Sequence, residues 1–169
     1  MSQQIESERK FLISKPLNFE DWPVDAREVK ITQMYLSVIR SDVVERVRIK
    51  EDQGRVSIIL CMKEHLRPGV NRETEVEITN AEWLMLQENV DPLRGTIRKT
   101  RYVFEWNDLI YELDVFEEPK LTAMLLEVEL DDISDNVEVP PFLFDALNGW
   151  REVTGDPEWT NHQIALLAV

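Results

Sequence analysis

Like-charged residues two positions apart recur along this chain. They form Glu6-Ser7-Glu8, Arg46-Val47-Arg48, Glu73-Thr74-Glu75-Val76-Glu77, Lys99-Thr100-Arg101, Glu112-Leu113-Asp114 and Glu127-Val128-Glu129. On a strand, such residues share one face about 7 Å apart. Two carboxylates so placed repel modestly in water and strongly where water is scarce. A hard divalent cation between their oxygens makes the arrangement favourable. Clustered Arg and Lys suit phosphate in the same way, arginine as a forked donor and lysine as a point charge. The chemistry these residues could do is therefore metal-assisted handling of a polyphosphate.

Period-two alternation supplies the elements that must hold them. It predicts strands over Gln4–Ile13, Glu28–Leu36, Asp42–Glu51, Arg55–Lys63, Asn71–Ile78, Gly95–Glu105, Leu109–Phe116 and Ala123–Leu130. The second and third strands can pair through Ser37–Ser41, the third and fourth through a short hairpin at Glu51-Asp52-Gln53-Gly54-Arg55, and His65–Gly69 reads as a turn or loop. Helices are expected after Asn80 as N-cap and ending before Pro92, over Phe142–Leu147, and from the N-cap Asp156 with Pro157 to about Ile164. In the first of these, Trp83, Met85 and Leu86 read as helix core. Many strands, few helices and no long linker predict one mainly β (α+β) domain over residues 1–169, a barrel or sandwich with helices outside.

Strand parity sets Glu6, Glu8 and Lys10 against Ile5, Phe11 and Ile13, and Arg46 and Arg48 against Val47 and Ile49. Lys63 opposes Val56, Ile58, Leu60 and Met62. Lys99 and Arg101 oppose Tyr102 and Phe104, and Glu127 with Glu129 opposes Leu126 and Val128. Each charged face could be the solvated side of a sheet. If the sheet closes, these faces converge on one interior. Parity alone leaves both arrangements open, along with a charged sheet face that binds a protein.

Composition narrows the classes. The 33 acidic and 19 basic residues give a formal charge of −14, which disfavours a general nucleic-acid binder. No stretch approaches the roughly 20 apolar residues of a membrane span, and the N-terminus has no signal-peptide pattern. Cys61 is the single cysteine and reads as a small buried filler. With only His65 and His162 besides, a zinc site of His and Cys ligands is not expected. His162 reads as surface, and a cytoplasmic setting is expected.

The ordered motifs carry a resemblance. Ile5-Glu6-Ser7-Glu8-Arg9-Lys10-Phe11-Leu12 is similar to the ExExK signature of the CYTH family of triphosphate tunnel metalloenzymes. Gln33-Met34-Tyr35-Leu36, Arg46-Val47-Arg48, Lys63, Arg72-Glu73-Thr74-Glu75-Val76-Glu77 and Arg98-Lys99-Thr100-Arg101-Tyr102 follow in family order. So do Glu112-Leu113-Asp114-Val115-Phe116, Leu126-Glu127-Val128-Glu129 and Glu152-Val153-Thr154, so that the resemblance runs from Ile5 to Asn161. It implies a closed eight-stranded antiparallel β-barrel with a few helices outside, a triphosphate in the bore, and Mg²⁺ or Mn²⁺, two ions in all.

Carried over by motif, Glu6 and Glu8 with Glu129 would hold the first metal. Glu75, Glu77, Asp114 and Glu127 would serve a second or order its waters. Arg46, Arg48, Lys63, Lys99 and Arg101 would grip phosphate, with Glu112 and Arg151 as additional candidates. Lys10, Tyr35 and Lys99 form the catalytic set. Lys10, crowded by Arg and metal charge, is expected to have a lowered pKa and to pair with Tyr35. Glu73 is expected at the barrel mouth. Arg151 replaces a lysine frequent in bacterial members, and Trp159 replaces a tyrosine. The activity implied first is metal-dependent hydrolysis of inorganic triphosphate to pyrophosphate and phosphate. Class IV adenylate cyclase, thiamine or nucleoside triphosphatase, and a non-catalytic polyphosphate-binding module are the alternatives. No adenine-pocket motif stands out, and Trp22, Trp106 or Trp150 could clamp thiamine. A small-molecule triphosphate is the expected partner, with no nucleic acid or membrane; homodimers are common in the family.

Overall fold

The structure is a computed structural model that describes residues 2–14, 22, 24–37, 43–144 and 149–168. Eight strands form the wall: β1 (Ser2–Ile13), β2 (Arg27–Tyr35), β3 (Val43–Asp52), β4 (Arg55–Arg67), β5 (Val70–Ile78), β6 (Ile97–Trp106), β7 (Leu109–Glu118) and β8 (Met124–Leu130). They are hydrogen-bonded in the order β5-β4-β3-β2-β6-β7-β8-β1, and β1 returns to β5, so the antiparallel sheet closes into the expected barrel. Closure removes both sheet edges.

β1 makes the closure by dividing its length. Residues Ser2–Ser7 pair with β5, while Ser7–Ile13 pair with β8. Beyond Ser7 the edge that faced β5 is taken by β9 (Trp150–Glu152), opposite Phe11–Ile13. This short strand lacks the length to show an alternating pattern, and the sequence reading missed it.

The turns follow their residues. β3 and β4 meet at Gln53 and Gly54 (φ 49° and 80°), and β6 and β7 at Asn107 and Asp108 (φ 50° and 61°). Two central residues at positive φ are what a two-residue hairpin needs to match strand twist. The expected loop over His65–Gly69 shrinks to Pro68-Gly69. β4 continues to Arg67 through an irregularity between His65 and Arg67, held by the Arg72–Glu64 ion pair and a 3.3 Å His65–Asn71 hydrogen bond. The β2–β3 pairing is present, although residues 38–42 that join the two strands lie outside the described residues.

The helices are shorter than expected. Helix α1 (Asn80–Leu86) is capped by Thr79 rather than Asn80, because Thr79 and Glu82 cap each other reciprocally. Of its apolar residues, Trp83 and Leu86 pack inward, whereas Met85 is exposed. The helix expected over Phe142–Leu147 is a single 3₁₀ turn, Pro141–Leu143, in its described part, with Phe144 extended. The last predicted helix is interrupted. Asp156 caps a 3₁₀ turn, Pro157–Trp159; the chain then extends at Thr160, which caps helix α2 (Asn161–Ile164).

The apolar core lies outside the wall. Phe11, Ile13, Phe104, Tyr111, Leu113, Leu126 and Val128 pack under Val139 and Leu143, and Leu36 and Val47 pack under Trp83 of α1. A third cluster fills one end of the bore: Tyr35, Ile97, Phe116 and Leu125 close around Val153, Ile164 and Ala165. Most of the bore itself is left to the charged faces of β1, β3 and β5 to β8 with Lys63 of β4, while β2 turns Val29, Ile31, Gln33 and Tyr35 inward.

Gly69 fixes where β1 meets the β4–β5 turn. Its carbonyl accepts from Glu8 N at 2.8 Å, and its φ is 71°. A Cβ there would lie 2.7 Å from Ile133 Cδ1 and 2.9 Å from the Glu8 carbonyl oxygen. Gly69→Ala should therefore cost about 1–3 kcal/mol, read as a lower urea midpoint with an unchanged slope.

Candidate active site

Each strand contributes alternate residues to the bore, so the dyads meet across it. Asp114 and Lys99 are 0% and 1% exposed at the side chain and form an ion pair. Arg101 forks onto Asp114 at 2.7 and 2.8 Å, reaches Glu127 at 2.8 Å and pairs with Glu112. Lys10 meets Glu127 at 2.7 Å. On the facing wall, Glu73 accepts from Arg46 at 3.1 Å and from Lys63 at 2.7 Å, while Lys63 lies 3.5 Å from both Glu6 and Glu8. Arg48 lies 3.6 Å from Glu75 and donates to Gln33 Oε1 at 3.1 Å.

The electrostatics follow from burial and partners. Lys99 is pushed down to about 8, chiefly by burial, with Arg101 adding to it against the pull of Asp114. Burial also works to lower Lys10, yet Glu127 and Glu8 overcome it and raise its pKa above the ordinary lysine value. The expected lowering at Lys10 is thus reversed, because its nearest charges are carboxylates. The expected Lys10–Tyr35 pair is likewise replaced. The Tyr35 hydroxyl accepts from Gln33 Nε2 at 2.7 Å, its ring meets His162 edge-on at 5.0 Å, and burial pushes its pKa up to about 12.

Glu6 on β1 and Glu129 on β8 are acids whose burial and repulsion by neighbouring carboxylates the nearby cations only partly offset. Burial, then Glu73, raises Glu6 to about 7. Burial, Glu112, Glu8 and Glu73 raise Glu129, which stands opposite Glu8 in the ladder. Oxygen ligands that repel one another in this way fit a hard divalent cation. Among the described residues, the ligand atoms that do converge within 4.8 Å of one another are Cys61 Sγ and the Glu73 and Glu75 oxygens. There the thiol donates to Glu73 at 3.3 Å and burial raises its pKa, while Arg46 and Lys63 already hold that carboxylate.

Several residues lie elsewhere than expected. Glu73 is 2% exposed in the middle of the bore rather than at its mouth. Glu77, assigned to a metal, is exposed and pairs with Arg55 at 3.1 Å near the rim. Arg151 is exposed on β9 opposite Leu12. Asp114 and Glu127 are engaged by Lys99, Arg101 and Lys10. Trp22 packs on Phe104 and Phe142, Trp106 on Tyr111, and Trp150 on Phe11, all on the outer face of the wall. His162, expected on the surface, is half-buried against Tyr35.

Three bore residues were missed. Gln33 is fully buried between Arg48 and Tyr35; it sits two residues before Tyr35, so parity could have found it. Lys50 continues the parity of Arg46 and Arg48 and could have been found the same way. Asn161, whose Oδ1 accepts from Lys99 at 3.3 Å, comes from helix α2 and carries no strand parity.

The CYTH domain model matches residues 4–151 of the chain. An inorganic triphosphatase from Acetivibrio thermocellus is 28% identical over 160 residues, 94% of this chain and 92% of that protein. A crystal structure of an inorganic triphosphatase is 28% identical, covers 95% of this chain and 94% of its own, and superimposes with a TM-score of 0.56. A Hippeastrum protein, assigned as an adenylyl cyclase but described as having a dominant triphosphatase activity, shares the fold at 20% identity. Its TM-score is 0.57, over 75% of this chain and 80% of that one.

Removing one member of a buried ion group leaves the others uncompensated, at a cost of about 3–5 kcal/mol. Asp114→Asn should show this in chemical denaturation. Adding Lys99→Met to Asp114→Asn should recover part of the loss, since it removes one of the stranded cations.

Proposed function

This chain belongs to the CYTH family, and we propose that it is a metal-dependent hydrolase that splits inorganic triphosphate into pyrophosphate and phosphate inside the barrel. The observation that carries the reading is the set of cations from β1, β3, β4 and β6 converging on one bore whose far end is filled by apolar side chains. Its two similar inorganic triphosphatases support the choice of substrate.

At rest in the bore, Lys10, Arg46, Arg48, Lys63, Lys99 and Arg101 are each held by a carboxylate. A triphosphate entering the bore would exchange partners with them. Arg46, Arg48 and Lys63 would turn from Glu73 and Glu75 to phosphate oxygens, and Lys10, Lys99 and Arg101 would do so from Glu127 and Asp114. The buried Nε of Arg46 has no acceptor among the described protein groups, and a phosphate oxygen would supply one. Lys10, held protonated, serves as a fixed charge and donor toward the bridging or terminal oxygens rather than as a base.

Glu6, Glu8 and Glu129 would hold the cation. When bound, Mg²⁺ or Mn²⁺ there supplies Lewis-acid charge and an acidified water. A second ion would have to displace Lys10 and Arg101 from Glu127 and Asp114, so the reading favours one site as the primary one. In the overall step, water adds to a terminal phosphorus, the P–O–P bond breaks, and pyrophosphate leaves with phosphate and a proton released.

Phosphate release from tripolyphosphate should require Mg²⁺ or Mn²⁺, stop with EDTA and resume when the ion is restored. Glu8→Ala should keep the barrel folded while turnover falls to background. Binding of tripolyphosphate without turnover under any metal would make the chain a binding module and sink the hydrolase reading. Cyclic AMP as the main product from ATP would favour the cyclase alternative.

A further inference from the structure

Arg46, Arg48 and Lys50 stand on one face of β3 as three rungs, about 7 Å apart and so about 14 Å from end to end. The lowest rung lies opposite Tyr35, in the apolar end of the bore. Arg48 is opposite Gln33, and Lys50 is opposite Ile31 and Ser57, furthest from the filled end. Lys50 faces the bore, because the charges acting on it come from Arg48, from Glu75 on β5, from Arg101 on β6 and from Glu112 on β7.

Lys50 differs from its neighbours in one respect. Lys10, Arg46, Arg48, Lys63, Lys99 and Arg101 each have a carboxylate oxygen within 4.0 Å, whereas among the described residues none approaches Lys50 that closely. The two acids nearest in field are engaged elsewhere, Glu75 at 3.6 Å from Arg48 and Glu112 by Arg101. A half-buried ammonium with no carboxylate in contact is costly, and burial with Arg48 lowers its pKa against the weaker pull of Glu75 and Glu112. An anion arriving at that rung relieves both effects.

We propose that Lys50 sets chain-length preference: it binds the phosphate groups of linear polyphosphates longer than triphosphate, beyond those gripped by the inner cations. The inference rests on the phosphate-binding reading of the bore. Because the far end is filled, a longer chain enters by its terminus, and its surplus length must lie along β3 past Arg48. Three phosphoryl groups held at Arg46 and Arg48 stop short of Lys50, while a fourth comes within reach of its flexible stem.

The test is calorimetric titration of the full chain with tripolyphosphate and with linear tetrapolyphosphate, in EDTA so that no turnover intervenes. Wild type should bind the longer chain more tightly. Lys50→Gln should weaken tetrapolyphosphate about tenfold, as expected for one charge-assisted contact, and tripolyphosphate less than about twofold. Lys50→Arg should restore the preference. Equal losses for the two ligands, or no loss for either, overturn the role of Lys50 while leaving the phosphate reading intact. Failure of wild type to bind either ligand in EDTA, together with no phosphate release from either with Mg²⁺ or Mn²⁺, overturns both. The side chain is only half-buried, and an unchanged urea midpoint for Lys50→Gln checks that the fold is retained.

Discussion

Everything in this barrel depends on a buried Asp114 that cannot stay ionised alone. Its carboxylate is fully shielded from solvent and is held well on the ionised side by Arg101 and Lys99 against the burial that opposes it. Those two cations need it in turn, because taking an ion out of water is repaid only by close partners. Lys99 needs it more than Arg101, which also reaches Glu127 and Glu112. From this one cluster the network spreads through Glu127 to Lys10 on β1, so four strands are tied by charge across the wall. A second network, centred on Glu73, ties β3, β4 and β5. The bore is therefore stable only as a mixture of signs, and a polyanion can reach these inner cations only by exchanging partners with resident carboxylates.

The same constraint explains why the fold could be read from the chain. Alternation in β1, β3, β5, β6, β7 and β8 separates an ionic from an apolar face, and the order of the motifs gave the closure that parity left open. Parity fails where an element is too short or is not a strand. β9 has three residues, α2 delivers Asn161 and His162 from a helix, and the interruption at Thr160 depends on a cap rather than on a periodic pattern. Position along a strand was also hidden. Glu73, Glu75 and Glu77 have identical parity, and only the barrel's register separates the buried Glu73 from the exposed Glu77. The direction of the Lys10 shift was misjudged for a related reason. The sequence shows which charges share a face, whereas the pKa follows from which of them lies nearest.

The division of labour between the two sides of the wall is unusual for a small fold. Apolar residues that would ordinarily meet in the middle face outward, so they need a covering layer. The segment around Val139 and Leu143 serves β1 and β6 to β8, and α1 serves the other half. This leaves the interior free for chemistry, at the cost of spreading the hydrophobic core into separate patches. The apolar cluster at one end of the bore joins inside to outside, since it is built from bore-facing Tyr35, Ile97 and Leu125 together with Val153, Ile164 and Ala165 from the end of the chain.

The double pairing of β1 has a temporal consequence. The strand that carries Glu6, Glu8 and Lys10 leaves the ribosome before any of its partners, β5, β8 and finally β9. Contacts this distant in sequence form slowly, because a long loop must close before they are rewarded. Until β8 has been synthesised, the acidic face of β1 has neither Glu127 nor Glu129 beside it. A nascent chain thus carries the motif without the carboxylates that face it in the barrel, and a truncation before Met124 would do the same.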